Sequence, residues 1–103
     1  MSVLVQAKTK ISKAKERRYI LLKLLEWKGE GMTISEFEMW SGLKRKDIVD
    51  AIRSLLAWRC LKKSIDENTG LTVYSLNNNG KKLIKVYEEK QGLRWIPSWE
   101  QQL

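Results

Sequence analysis

"SGLKRKDIVDAIRSLL", residues 41–56, is the stretch on which the fold turns. Gly42 marks a turn, and Ile48, Ala51, Ile52 and Leu55 then recur at i, i+3, i+4 and i+7, one face of an amphipathic helix. Lys46, Val49, Asp50, Arg53 and Ala57 fall on the opposite face. Three consecutive cations, Lys44, Arg45 and Lys46, stand where this helix begins. The unsatisfied N–H groups of a helix start carry partial positive charge, so each like-signed side chain there costs about 0.3–1 kcal/mol. A good capping side chain is also missing, a further loss of ~1 kcal/mol. Asp47 offsets only part of this. A bound phosphate would use both the free N–H groups and the cations. Side chains that merely extend into water are the plainer alternative.

Upstream, Ser35 and Glu38 stand at capping-box spacing, which predicts a short helix from Ser35 to about Ser41-Gly42. The β-prone Met32-Thr33-Ile34 before it predicts a short strand. Ser12 caps an earlier predicted helix that runs to about Trp27 and stops at Gly29 and Gly31. Ala14, Leu21 and Leu25 share its face, flanked by Ile20 and Leu24 on one side and Leu22 on the other. That arc is wider than the roughly 100° stripe of an ordinary surface helix. Such a helix is either buried on two sides in its own domain or shared with a second chain. Downstream, "CLKKSIDENTGLTVYSL", residues 60–76, predicts two strands around Glu67-Asn68-Thr69-Gly70. "NNNGKKLIKVYEEKQG", residues 77–92, predicts a helix capped by Asn77, with Leu83, Ile84 and Tyr87 inward and Gly92 at its end.

The order is helix, short strand, helix, helix, hairpin, helix, a mostly α, α+β chain. From about Arg17 to Glu89 it resembles a winged helix-turn-helix of the kind found in MarR-, ArsR- and PadR-like transcriptional regulators. "ISEFEMWSGLKRKDIVDAIRSLLAWRCL" carries the helix-turn-helix and "VYSLNNNGKKLIKVYE" the last wing strand with its following helix. The family commonly has Tyr-x-Leu-Thr-x-x-Gly at that second place; here Tyr74, Leu76 and Gly80 match and Asn77 replaces Thr. Two departures stand out. Lys44 occupies a position often given to a small polar residue, and Arg59 one often given to Gly before the first wing strand.

The chain has 103 residues and a net charge of +8, which favours a polyanionic partner, nucleic acid before membrane. The basic weight lies in the N-terminal third, at Lys8, Lys10, Lys13, Lys15, Arg17 and Arg18, and the recognition face itself is nearly neutral. There is no histidine and one cysteine. Imidazole metal sites, Ser-His or Cys-His nucleophiles and Cys-based zinc sites are thereby excluded, and no metal, cofactor or enzyme activity is expected. No apolar run nears the roughly 18 residues of a membrane span, and "MSVLVQAKTK" lacks a secretory pattern. A cytoplasmic, nucleoid-associated protein is expected, with a basic arm at 1–11, a winged domain at 12–91 and a Trp-containing tail at 92–103.

The resemblance implies sequence-specific binding of double-stranded DNA by a homodimer. In that scheme Lys44, Arg45 and Lys46 hold phosphate at the helix start. On the outward face Arg53 reaches guanine, Asp50 cytosine and Val49 a thymine methyl; a solvated face with an Asp50–Arg53 pair is the alternative. Lys62, Lys63, Asn68 and Thr69 lie on the wing for backbone contact, or Lys simply guards an edge strand. Lys15, Arg17 and Arg18 add salt-dependent attraction. A dimer seam is expected from Ile20, Leu24, Trp27, Leu83, Ile84 and Tyr87. A winged-helix module that binds protein in a transcription or replication assembly is the other function considered. Trp27 and Trp58 are expected in the core, Trp40 partly exposed, and Cys60 buried as a small hydrophobe. Trp95 and Trp99 lie in a tail that folds back on its own domain or clasps a partner.

Overall fold

Ser12 starts the first helix as expected. The computed structural model describes residues 3–7 and 10–97, and in it the Ser12 side chain accepts the Lys15 N–H at 3.2 Å. Helix α1, Lys13–Lys28, ends on left-handed Gly29, whose N–H returns to the Leu25 carbonyl. Tyr19, Ile20, Leu21, Leu22, Leu24 and Leu25 are all buried. The breadth of that arc has an internal cause. The helix packs against α2 (Ile34–Ser41), α3 (Arg45–Ala57) and α4 (Asn78–Gln91), and also meets strands β1 (Val3–Gln6) and β3 (Thr72–Leu76). A central helix with neighbours on several sides needs no second chain to cover it.

The dimer seam therefore requires correction. Ile20, Leu24, Ile84 and Tyr87 are at most 4% exposed within the single chain. Only Trp27 and the half-buried Leu83 of that set meet solvent. The tryptophan expectations are also corrected, since Trp27 is 42% exposed and Trp58 50%. Trp27 meets Trp40 edge-on at 5.3 Å between ring centroids, and the Arg18 guanidinium lies 4.6 Å from the centroid of the Trp58 ring. Each indole thus covers a junction between helices instead of entering the core. Ala14, placed on the apolar face, is exposed. Lys8 and Trp99 lie outside the described residues.

Thr33, not Ser35, caps α2. Its side chain accepts the Glu36 N–H, and Glu36 Oε1 accepts the Thr33 N–H, each at 3.2 Å. The backbone explains the choice. Met32 exchanges both hydrogen bonds with Tyr74 of β3, which holds the chain extended as far as Thr33. Ile34 is already helical, so the expected short strand shrinks to this one bridge. Gly31 permits the approach, because a Cβ there would collide with the side chains of Val73 and Ser75.

Strand β2 (Leu61–Ile65) pairs antiparallel with β3 from Leu61 opposite Leu76 to Ile65 opposite Thr72. This is the wing. Arg59 precedes it with φ 57°, the left-handed conformation that glycine adopts without strain. Its carbonyl is held by the side-chain amides of Asn77 and Asn79 at 2.9 and 3.1 Å. Asn77 also caps α4 through the Gly80 N–H, and a Cβ on Gly80 would strike the Cys60 carbonyl. One asparagine therefore ties the wing base to the last helix. After Gly92, strand β4 (Arg94–Pro97) pairs antiparallel with β1, from Val3 opposite Pro97 to Gln6 opposite Arg94. This terminal ribbon has no counterpart among the sequence expectations.

Candidate nucleic-acid interface

Helix α3 is anchored by Ile48, Ala51, Ile52 and Leu55, all buried, and turns Lys46, Asp50 and Arg53 to solvent. Val49 is half-buried between them. The turn before it is set by Ser41. Its buried hydroxyl donates to the Phe37 carbonyl at 2.6 Å and accepts the Leu43 N–H at 3.0 Å. Gly42 takes φ 72° and closes α2. The backbone thus leaves α2 and re-enters a helix within a few residues, aiming the start of α3 outward.

Lys44 is the cap residue of α3 and makes no side-chain cap bond. The N–H groups of the first turn keep their unsatisfied donors there. Asp47, the only acid of that turn, is diverted to Arg17 at 3.2 Å. Arg45 is held as well: its Nε donates to Glu38 Oε1 at 2.8 Å, and a terminal nitrogen donates to Ser35 Oγ at 3.3 Å. Among the described residues Lys44, Lys46, Asp50 and Arg53 have no ion-pair partner. The expected Asp50–Arg53 pair does not form.

The N-terminal cations are largely committed inside the chain. Arg17 spans α1 and α3 through Asp47. Arg18 donates from Nε to the Tyr87 hydroxyl at 3.2 Å while stacking on Trp58. Lys15 sits 6.0 Å from the Tyr87 ring centroid, the outer limit of a cation–π contact. These side chains brace α1 against its neighbours more than they face a polyanion. Lys10 and Lys13 remain exposed.

On the wing, Lys62 and Lys63 are exposed along β2. The tip is less suited to phosphate than expected. Asp66 accepts the Asn68 N–H at 2.8 Å, the Thr69 hydroxyl accepts the Leu71 N–H at 3.3 Å, and Glu67 adds a second carboxylate. The Thr69 oxygen is thus engaged within the turn, and Asn68 has acids beside it. Buried Cys60 has its thiol pushed up by desolvation, which suits a small core residue and not a nucleophile.

Sequence reasoning missed Glu38, Ser35 and Asp47 as partners of the cations. A carboxylate seven residues before an arginine, across a Gly turn, was the available signal. No helix among the described residues is long and apolar enough to cross a membrane.

By sequence, no protein family and no curated protein matches the chain. Solved structures do. One is of BpsR from Bordetella bronchiseptica, whose DNA binding is regulated by 6-hydroxynicotinic acid. The TM-score is 0.65 at 16% identity, covering 80% of this chain and 64% of that one. Two others are of the adhesin competence repressor AdcR from Streptococcus pyogenes. Both give a TM-score of 0.59 at 17% identity, covering 81% and 82% of this chain and 59% of theirs. The fold is a winged helix-turn-helix. This winged helix spans about three-fifths of the length of those structures. Within it α2 and α3 form the helix-turn-helix and β2 with β3 the wing.

Proposed function

We propose that this winged helix binds double-stranded DNA sequence-specifically as a homodimer and regulates transcription, in the manner of MarR-like proteins. Helix α3 enters the major groove and the wing follows the flanking backbone. The observation that carries this is the start of α3, which is cationic, exposed and uncapped on a helix firmly anchored behind. Lys44 and Lys46 hold phosphate together with the first-turn N–H groups. Arg53 and Val49 read bases, and Asp50 accepts from cytosine. Lys62 and Lys63 contact the backbone beyond. The likeness to BpsR and to the AdcR repressor supports a regulator, and a cytoplasmic, nucleoid-associated location follows from such a role.

The second reading is a protein-docking winged helix, favoured by the near-neutral outward face of α3 and by the exposed Met39 and Trp27. Selection of bound duplexes from a random pool separates the two. A preferred sequence whose binding falls steeply with salt supports the regulator. Equal competition by random duplex rules it out. Replacing Lys44, Arg45 and Lys46 by Ser, Asp and Glu is expected to abolish binding in a shift assay. Unchanged affinity would return these residues to solvated surface.

A further inference from the structure

We propose that a second copy of this chain pairs with the outer edge of β1. The two terminal ribbons then form one four-stranded antiparallel sheet, ordered β4–β1–β1–β4 about a two-fold axis. This rests on the homodimer proposed above and assigns its seam, the helical faces being closed within each chain.

The edges of the ribbon are unequal. On β4, Pro97 has no N–H to offer. It also fixes the phase of pairing. Val3 and Pro97, opposite each other in the register, can form only a non-hydrogen-bonded pair, which is where a proline fits. Val5 and Trp95, two positions on, form the next such pair. Alternation then turns the N–H and C=O groups of Val3 and Val5 outward, while those of Leu4 and Gln6 face β4. Among the described residues no other strand and no other backbone group bonds Val3 or Val5 from outside.

The occupant follows from this edge. Val3-Leu4-Val5-Gln6 carries no charge and no proline, the usual means by which an edge strand refuses a partner. The wing edge β2, by contrast, displays Lys62 and Lys63. Two copies at +8 each repel, so their seam belongs on an uncharged strand. The edge is self-complementary. With Leu4 on the axis, Val3 of one copy meets Val5 of the other, and each such pair exchanges both backbone hydrogen bonds. A seam this short lies below a standard interface in size.

Sedimentation of the full chain without DNA, from micromolar concentration upward, is expected to give twice the 12.1 kDa of one chain. Val3→Pro removes an outward donor at the first strand position, where proline is tolerated, and is expected to give folded monomers. Leu4→Cys in a Cys60→Ser background is expected to form an interchain disulfide, since residues on the axis lie about 4.5 Å apart between Cα atoms. Gln6→Cys, displaced from its copy by about 13 Å, is expected not to. A single-chain mass for the unaltered protein overturns the proposal. So does a dimer that survives both Val3→Pro and Val5→Pro and shows no Leu4→Cys crosslink. No DNA enters these measurements, so their failure leaves duplex binding to be judged by the shift assay alone.

Discussion

Arg45 is tethered within its own chain. Its guanidinium holds the Glu38 carboxylate and the Ser35 hydroxyl, so an exposed cation at the start of α3 is partly neutralised. Exposed pairs of this kind contribute little to stability, at most about 1 kcal/mol, but they set where a charge can reach. Glu38→Gln is expected to strengthen binding to random duplex two- to five-fold and steepen its salt dependence by about one phosphate contact. Arg45→Ala should erase that gain in the double variant. A gain that survives Arg45→Ala would mean that Glu38 acts on phosphate directly. Arg53 invites a different measurement. Arg53→Ala is expected to relax one base position at a cost of roughly 1–3 kcal/mol, whereas Lys62→Ala should weaken every duplex alike. Equal loss on selected and random duplexes removes Arg53 from base reading. At Arg59 the left-handed backbone carries a strain of about 1 kcal/mol for a residue with a Cβ. Arg59→Gly is expected to raise the denaturation midpoint, because the Asn77 and Asn79 contacts use only its carbonyl.

Single bonds decide how whole elements begin. The start of α2 gathers the Thr33 hydroxyl, the Glu36 carboxylate and the Lys28 ammonium. The Lys28 bond, against some desolvation, and the Thr33 N–H hold the Glu36 carboxyl below its ordinary value of 4.5. Glu36 in the unfolded chain therefore binds its proton first as pH falls. Its contribution to stability is complete above pH 4.5 and disappears as pH drops through the lowered folded value. Glu36→Gln is expected to flatten the acid limb of a stability–pH curve while changing its slope little at neutral pH. An acid limb as steep as before would assign acid sensitivity elsewhere. The capping box itself shows why this element was misplaced in the sequence. Thr33–Glu36 and Ser35–Glu38 have the same spacing, and only the Met32–Tyr74 bridge, a contact across the fold, selects between them. The helices α1, α3 and α4 were legible because periodicity and capping residues are local. The use of Arg17, Arg18 and Arg45 was not, because charge on a helix face reads alike whether it meets water, phosphate or a partner thirty residues away.

At the scale of the molecule, the mistaken dimer seam traces to α1. A wide apolar arc was assigned in part to a second chain, yet α2, α3, α4 and the wing cover it within one. The cost of misjudging this is concrete: truncating Leu24, fully buried, removes core packing worth about 2–5 kcal/mol and not a dimer contact. The terminal ribbon left no trace in periodicity, since four-residue strands are too short to show one. It also joins the two ends of the chain, with Val3 opposite Pro97. That pairing encloses nearly all of the polypeptide in one loop. Closing so long a loop is entropically unfavourable until the intervening helices have collapsed and drawn the ends together. The ribbon is therefore expected to zip last and to open first. Its amides should exchange with solvent ahead of those in α1, and the ribbon can open while α2, α3 and the wing stay folded.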